Sequence, residues 1–539
     1  MSMSDSSLSA SVPTTTGKTP LAGLVRLLPR LSSASQGWLL PLSLLLLWNV
    51  AAQRGWMAEQ ILPAPALVWQ TAHELAAEDL GRHLLISLGR LFAGLLPGAA
   101  LGLALALLTG LNRRAGRVLG PLFALWAQVP NLALIPVLMV FLGIGNGLKV
   151  AVILNASLIP MLVHAQAGVR DVPLALREAA ATLRLSFWMR LTRLYLPAAL
   201  PAILTGLRLS VSAAWTSLVV VELLASSEGI GYLMVWGRQM FQLDIVFVCI
   251  FVIGAMGLLM EITLHALDAR LVRWPRPALT RQQGAAAGRD PWAWLPLLAL
   301  LALWWLASRL GWLDLHTVPS PAGVLQAMHR GWLDGTLLAA MGQSLGRYLQ
   351  GLAWGVAIGA LTGLACGLSG RRSFGAGRLL APLLGVLRHI VIFAWLPLLT
   401  AWAGTGEAAR ILFIAIASFF PMFVASQRGV LNLSAQLLEA AQALRLSGWK
   451  KLRWVVLPGA ASNMFAGLRL ALMLGWLATI GAEYFMASSI GIGSLMINAQ
   501  QVMNVEVIFA GLILVSGTGA AINLLGQLLE RRLQRWRQS

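Results

Sequence analysis

The stretch of sequence that decides the fold lies between apolar blocks and occurs twice. The first copy reads Arg177-Glu178-Ala179-Ala180-Ala181-Thr182-Leu183-Arg184-Leu185-Ser186, and the second reads Leu438-Glu439-Ala440-Ala441-Gln442-Ala443-Leu444-Arg445-Leu446-Ser447. A Leu-Pro pair follows each copy, at Leu196-Pro197 and Leu457-Pro458. A charged, Ala-rich stretch between two apolar blocks predicts a short amphipathic helix lying along a membrane. Its small side chains would let a partner protein approach closely.

The rest of the chain repeats in register with these two copies. Most matched positions are 261 residues apart, and the matches fall on Pro, Gly and charged residues. They include Pro136 with Pro397, Gly143 with Gly404, Pro160-Met161 with Pro421-Met422, and Ser87-Leu88-Gly89-Arg90 with Ser344-Leu345-Gly346-Arg347. Chance similarity between Leu- and Ala-rich segments would not align such residues. The sequence therefore predicts two homologous halves related by an axis along the membrane normal, with a pathway possible between them.

The composition predicts an all-α polytopic membrane protein. Of 539 residues, 58% are hydrophobic and 11% are charged, whereas a soluble domain carries roughly 25% charged residues. The apolar residues form blocks of about 20, the length that spans a bilayer. We predict about twelve transmembrane helices, arranged as two homologous six-helix bundles. The predicted spans are 38–56, 85–111, 119–142, 148–169, 205–226, 244–267, 292–312, 345–368, 379–402, 408–429, 466–487 and 505–528.

The basic residues predict how the chain is oriented. The net charge is +20, and the Arg and Lys clusters fall in alternate loops, on one side of a twelve-span arrangement. The opposite loops carry acidic residues such as Glu59, Asp79 and Asp334. Because basic loops stay in the cytoplasm, we predict a multi-pass membrane protein with both termini cytoplasmic. Basic residues scattered over short loops argue against nucleic-acid binding.

Composition also divides the chain into domains. Residues 1–37 are predicted to be a polar cytoplasmic tail, and 38–273 the first transmembrane domain. Residues 274–291, rich in Pro, Gly, Ala and Arg, are predicted to be a cytoplasmic linker, and 292–539 the second transmembrane domain.

Glycines recur every four residues in the second span of each half, starting at Gly94 and Gly351. Such a stripe lets a neighbouring backbone approach closely.

The repeated stretch resembles the E-A-A loop of bacterial ABC importer permeases. The resemblance covers Glu-Ala-Ala, the spacing to Leu-Pro, and the Gly-Leu-Arg-Leu that follows at 206–209 and 467–470. It implies the type I ABC importer permease fold, in which this loop forms a coupling helix that docks on an ATP-hydrolysing subunit. A basic loop that only sets topology is the alternative. The residues implied for coupling are Glu178, Ala179, Ala180, Arg184, Glu439, Ala440, Ala441 and Arg445.

Both loops depart from the family pattern at the same place. The family usually has Gly where this chain has Arg184 and Arg445. Glycine there permits a left-handed turn at a helix end, a conformation that is costly for Arg. The geometry of the turn is therefore open at this point.

The segments after the loops resemble one branch of the family. Trp215, Glu222 and Gly229-Ile230-Gly231 are repeated as Trp476, Glu483 and Gly491-Ile492-Gly493, with one extra residue in the second copy. These segments are similar to permeases of nitrate, taurine and alkanesulfonate importers. Those permeases are usually single six-span chains that pair, whereas here the pair is fused.

No catalytic or metal-binding cluster stands out in the sequence, and we predict that the chain is not an enzyme. Gly17-Lys18-Thr19 lacks the earlier glycine and the strand of a phosphate-binding loop. The resemblance implies that ATP and Mg²⁺ are bound by two separate ABC ATPase subunits. It also implies a periplasmic solute-binding protein and a location in the bacterial inner membrane.

Four charged residues are candidates for the solute pathway. Arg208 and Arg469 could attract an anion, or could instead anchor the helix end. Glu222 and Glu483 would repel an anion, and are better explained as partners for local donors or as contacts to a binding protein.

The function that the resemblance implies is ATP-driven import of a small nitrate-, sulfonate- or taurine-like solute by alternating access. An ion-coupled secondary transporter is the alternative, and it predicts ionisable residues inside broken helices. A membrane-embedded enzyme would need convergent catalytic groups.

Overall fold

A computed structural model describes residues 33–272, 295–314, 317–369, 376–486 and 490–533. Most of the predicted tail (1–32) and all of the predicted linker (274–291) lie outside these residues. The boundaries of the two transmembrane domains therefore stay predictions.

The described residues form the same order of ten helices in each half. Here the helices Phe187–Ala225 and Gly448–Phe485 are each counted as one. The first half contains α1 (Ser33–Gln53), α2 (Pro65–Ala77), α3 (Leu80–Leu111), α4 (Arg113–Trp126), α5 (Ile135–Leu142), α6 (Asn146–Arg170), α7 (Leu174–Thr182), α8 (Phe187–Ala225), α9 (Ile230–Gln239) and α10 (Leu243–Leu271). The second half contains α11 (Leu295–Arg309), α12 (Pro321–Leu333), α13 (Thr336–Ser369), α14 (Ala376–Leu387), α15 (Leu396–Ala403), α16 (Glu407–Leu431), α17 (Ala435–Ala443), α18 (Gly448–Phe485), α19 (Ile492–Gln501) and α20 (Val505–Leu533).

Eight of the described helices are long and apolar enough to cross a bilayer. They are α3, α6, α8 and α10 in the first half and their equivalents α13, α16, α18 and α20 in the second. The first predicted span of each half corresponds to a shorter apolar helix, Trp38–Gln53 or Leu295–Arg309. The all-helical fold with two repeated bundles is therefore confirmed, and the figure of twelve spans is reached only when short and bent helices are counted.

The regions predicted as spans at 119–142 and 379–402 are not single straight helices. Each region is a pair of helices that meet at a sharp bend, of 86° between Arg113–Trp126 and Asn131–Leu142 and of 96° between Leu379–Leu387 and Ile392–Ala403. Pro130 explains the first break, because proline removes a helical hydrogen bond and restricts the residue before it. The second break has no proline, so packing maintains the bend there. Hydropathy could not detect either bend because both limbs are apolar.

The fifth predicted span of each half also begins earlier than expected. The predicted spans start at 205 and 466, whereas α8 and α18 begin at Phe187 and Gly448 and run through the Leu-Pro pair without a break. A π-helical turn precedes the proline in each case, over Leu191–Tyr195 and Leu452–Val456. Such a turn changes the bonding pattern where the proline cannot donate, so the helix continues.

The glycine stripes bring two helices of each half into backbone contact. A methyl group added at Gly98 would lie 2.5 Å from the carbonyl oxygen of Leu154, and one at Gly355 would lie 2.3 Å from that of Ala415. No side chain larger than glycine fits these positions without displacement. The close packing of α3 on α6 and of α13 on α16 follows from this.

Helices of each half pack against helices of the other half in a reciprocal way. The first helix of each half contacts the bent pair of the other half, α1 on α14 and α11 on α4. In the same reciprocal way, α15 packs on α9 and α5 packs on α19. One buried apolar cluster joins Trp215 and Val219 of the first half to Phe393 and Leu396 of the second. The halves therefore form one continuous core.

We predict that Gly355→Ala lowers the melting temperature of the purified protein in detergent, with an overpacking cost of roughly 1–3 kcal/mol. Gly346→Ala in the same helix is the matched control, since nothing lies within 4 Å of the added methyl group there. The control should leave the melting temperature unchanged or raise it, because alanine is the better helix former. Equal effects of the two substitutions would contradict the close helix contact.

Candidate functional site

The repeated Glu-Ala-Ala stretches form two short exposed helices, α7 and α17. Ser434 caps α17 through its hydroxyl, which accepts a hydrogen bond from the N–H of Leu437. Within each helix one alanine, Ala180 or Ala441, is buried against the protein. The remaining predicted coupling residues are exposed, namely Glu178, Ala179, Arg184, Glu439, Ala440 and Arg445. Each helix thus presents a small polar face away from the bundle.

The turn after each helix is left-handed although arginine occupies it. The φ angles of Arg184 and Arg445 are 49° and 47°. The next residue closes the turn, because Leu185 N donates to the carbonyl of Ala180 at 3.2 Å and Leu446 N to that of Ala441 at 3.1 Å. A left-handed residue with a Cβ costs roughly 1–2 kcal/mol. The structure therefore keeps the turn that glycine usually supplies, at an energetic cost in both copies.

Large apolar side chains beside these turns have no cover in the described chain. Leu183 is 70% exposed and Leu444 is 72% exposed. Trp188 and Trp449, which follow in equivalent positions, are also exposed. Exposed apolar patches rimmed by charged residues mark protein interaction sites. The same surface appears once in each half.

Glu222 lies in a buried polar cluster at the other end of α8. Its carboxylate accepts hydrogen bonds from Ser87 Oγ at 2.9 Å, from Arg90 Nη1 at 2.8 Å and from the N–H of Gly231 at 3.1 Å. Ser87 Oγ also accepts from the N–H of Ile230 at 3.0 Å. These bonds connect α3, α8 and α9, so Glu222 has local donors, as the sequence suggested.

The second half contains the same cluster with the equivalent residues. Glu483 accepts from Ser344 Oγ at 2.6 Å, from Arg347 Nη1 at 2.8 Å and from the N–H of Gly493 at 2.8 Å. One additional acid distinguishes this copy, since Glu407 binds both Arg347, at 2.6 Å, and Arg410, at 2.6 Å.

The two candidate pathway arginines each pair with an acid on the last helix of their own half. Arg208 Nη2 lies 3.4 Å from Asp268, and Arg469 Nη1 lies 4.0 Å from Glu530. Their surroundings differ, however. Arg208 lines a cavity between the halves and Arg469 is absent from its lining.

The cavity has a volume of about 620 Å³ and is bounded by both halves. Three arginines and one glutamate are among its lining residues, namely Arg208, Arg388, Arg428 and Glu261. Apolar side chains of α8, α10, α16 and α18 form much of the remaining wall. A cavity with an excess of positive charge and apolar walls suits a small anion that has an apolar part.

Sequence reasoning missed Arg388 and Arg428 as lining residues. Both lie inside or at the end of predicted spans, and ionisable residues within a span are a default signal of function. That signal was available in the sequence. What the sequence did not contain was the bend after α14, which brings Arg388 and His389 to the cavity. Among the described residues, no group of His, Cys, Asp and Glu is arranged to hold a metal ion.

Comparison with protein families places these features in context. The family described as binding-protein-dependent transport system inner membrane component matches the chain twice, at residues 98–273 and 355–536. The chain belongs to this family. It is therefore a multi-pass membrane permease of ABC transport systems and not an enzyme, and the family implies ATPase and solute-binding partners.

Individual relatives each match about half of this permease. A putative aliphatic sulfonates transport permease protein, SsuC of Bacillus subtilis, is 34% identical over 240 residues, which are 44% of this chain and 87% of the relative. SsuC of Escherichia coli is 35% identical over 250 residues, 46% of this chain and 91% of the relative. The taurine transport system permease protein TauC of Escherichia coli is 31% identical over 275 residues, 50% of this chain and 95% of the relative.

We predict that Arg90→Met destabilises the permease by about 3–5 kcal/mol, because it leaves the carboxylate of Glu222 buried without its charge partner. The double variant with Glu222→Gln should recover part of this loss, since no buried charge then remains and the amide keeps a hydrogen-bonding role. Melting temperatures of the single and double variants in detergent measure the coupling. Losses that simply add would mean that the two side chains do not act as a pair.

Proposed function

We propose that this permease supplies both halves of the membrane component of a bacterial inner-membrane ABC importer for a small anionic, sulfonate-, taurine- or nitrate-like solute. Two ATPase subunits dock beneath α7 and α17, and both chain termini lie on that cytoplasmic side. A periplasmic binding protein delivers the solute to the opposite side. ATP and Mg²⁺ are bound by the ATPase subunits.

The observation that carries the proposal is the duplicated docking surface. Each half offers a short helix with an exposed Glu-Ala pair and an exposed leucine, Leu183 or Leu444, beside a left-handed turn. The exposed leucine and the exposed Glu-Ala pair lie side by side, which fits a contact surface for a partner protein. Two equivalent surfaces on one chain fit two copies of one partner.

The structure also offers a route from docking to transport. Phe187–Ala225 is one helix of 39 residues, roughly 58 Å long at 1.5 Å per residue. It begins next to α7, lines the cavity at Arg208 and Trp215, and ends at the buried cluster of Glu222. Movement of α7 by a closing ATPase pair would thus be passed along a single rigid element to the cavity, and α18 is the equivalent element in the second half.

Two findings support an anionic solute. The charged lining of the cavity is mostly basic, which favours an anion. Relatives at 31–35% identity are described as transporting aliphatic sulfonates or taurine. Both solutes carry a sulfonate group on a short carbon chain, which matches a cavity with basic residues and apolar walls.

We expect the combined substitution Leu183→Arg and Leu444→Arg to abolish co-purification of the ATPase subunit, because two charged side chains would have to be desolvated at the docking surface. Leu333→Arg is the matched control: Leu333 is 73% exposed but lies on the predicted periplasmic side. Loss of the ATPase with the control, or its retention with the double variant, would contradict docking at α7 and α17.

Uptake into membrane vesicles tests the transport proposal directly. Vesicles that contain the permease, its ATPase and its binding protein should accumulate radiolabelled ethanesulfonate, taurine or nitrate with internal ATP, also in the presence of an uncoupler. Uptake that needs no ATP and stops with the uncoupler would indicate ion-coupled transport instead.

A further inference from the structure

The basic lining of the cavity comes mainly from one half. Arg388, Arg428 and Asn463 all belong to the second half and line the cavity. The positions 261 residues earlier, which are their equivalents in the first half, are Ala127, Ala167 and Ala202. The repeated fold therefore provides two equivalent places for a cavity, but only one of them carries these polar groups.

The equivalent tryptophans Trp215 and Trp476 also differ, in whether the indole N–H has a hydrogen-bond partner. The indole N–H of Trp476 donates to the carbonyl of Val515 at 3.1 Å. The indole N–H of Trp215 has no hydrogen-bond partner among the described residues, although Trp215 is 97% buried (3% exposed) and lines the cavity. A buried donor without a partner costs roughly 1–3 kcal/mol. Such a donor in the wall of a cavity points to a ligand that accepts its hydrogen bond.

The place equivalent to the cavity, which also lies between the halves, is bridged by a hydrogen bond. There, Asn523 Nδ2 donates to Gln128 Oε1 at 3.0 Å and links α20 to the bend after α4. The equivalents of these residues, Glu261 and His389, both line the cavity, and Glu261 pairs with His265 at 3.0 Å instead. The amide bridge therefore spans one of the two equivalent spaces, whereas the corresponding residues of the other space line the cavity.

We propose that the solute is bound on one side only, in the cavity between α8 and α10 of the first half and the bend after α14 of the second. The indole N–H of Trp215 and the guanidinium of Arg388 bind its anionic group, and apolar residues such as Phe420 and Leu474 contact its carbon chain. This inference rests on the proposed transport of an anion. The fused pair of halves is thus asymmetric in solute recognition although it is symmetric in its docking helices.

Paired tryptophan variants test the one-sided site. Trp215→Phe keeps most of the ring and removes the free donor, whereas Trp476→Phe removes a donor that is already used within the protein. We expect Trp215→Phe to lower the rate of ATP-dependent ethanesulfonate uptake about tenfold, the factor expected for one hydrogen bond to a charged group. Trp476→Phe should lower the melting temperature and change uptake less than about twofold. Equal losses of uptake in the two variants would overturn the proposal.

A second measurement does not depend on transport. Ser212 lines the cavity, Met473 is its equivalent in the other half, and the natural cysteines Cys249 and Cys366 are buried. Purified permease with Ser212→Cys or Met473→Cys is treated with the anionic sulfonatoethyl methanethiosulfonate and with the cationic trimethylammonioethyl reagent. We expect the ratio of anionic to cationic rates to be at least tenfold higher at position 212, and to fall at least threefold when Arg388→Gln is added.

The two measurements separate the possible failures. If the native complex takes up none of the anions but the thiol ratio at position 212 is high and depends on Arg388, the transport proposal fails and the one-sided anion site stands. If anions are transported but the ratios at 212 and 473 are equal, the one-sided site is refuted while the transport proposal stands.

Discussion

The structure depends on pairing charges where no water can solvate them. Glu222 with Arg90, and Glu483 with Arg347, are buried at the same end of each half, where a single unpaired charge would cost several kcal/mol. Each pair is supplemented by a serine hydroxyl and a backbone N–H, so the carboxylate has several donors. These bonds fix three helices relative to one another. The glycine contacts between α3 and α6 and between α13 and α16 complete a rigid frame in each half.

The two halves have equivalent frames, but the residues that line the cavity between them are not equivalent. The helices α7 and α17 agree in their exposed Glu-Ala pair, in their buried alanine and even in the left-handed turn at Arg184 and Arg445. The cavity does not follow this symmetry, because two of its three arginines, Arg388 and Arg428, have alanines at the equivalent positions of the first half. Fusion into one chain explains how symmetric helices and an asymmetric cavity occur together. The first half always assembles with the second half and never with another first half. Residues that are needed in only one of the two halves can therefore be retained in that half alone.

The sequence predicted the architecture well and the interior poorly. Patterns that depend on composition or on spacing along the chain were informative: the repeat, the apolar blocks and the Glu-Ala-Ala loops led to the right family. The bends after α4 and α14 were not predicted, because both limbs are apolar and a hydropathy average does not record direction. The hydrogen bonds of Glu222 to α3 and α9 were also not predicted. Ser87 and Arg90 of α3 are more than 130 residues away from Glu222 in the sequence. Arg388 could have been noticed as a charge within a span, but its place at the cavity follows from the bend.

The central claim is that one chain supplies both halves of the pathway and both docking helices. Native mass spectrometry of the complex, purified in mild detergent with its ATPase, tests this most directly by counting subunits. One permease chain of 57.8 kDa bound to two ATPase subunits is the predicted result. A complex that contains two permease chains for two ATPase subunits would contradict it, because one docking helix of every chain would then have no partner.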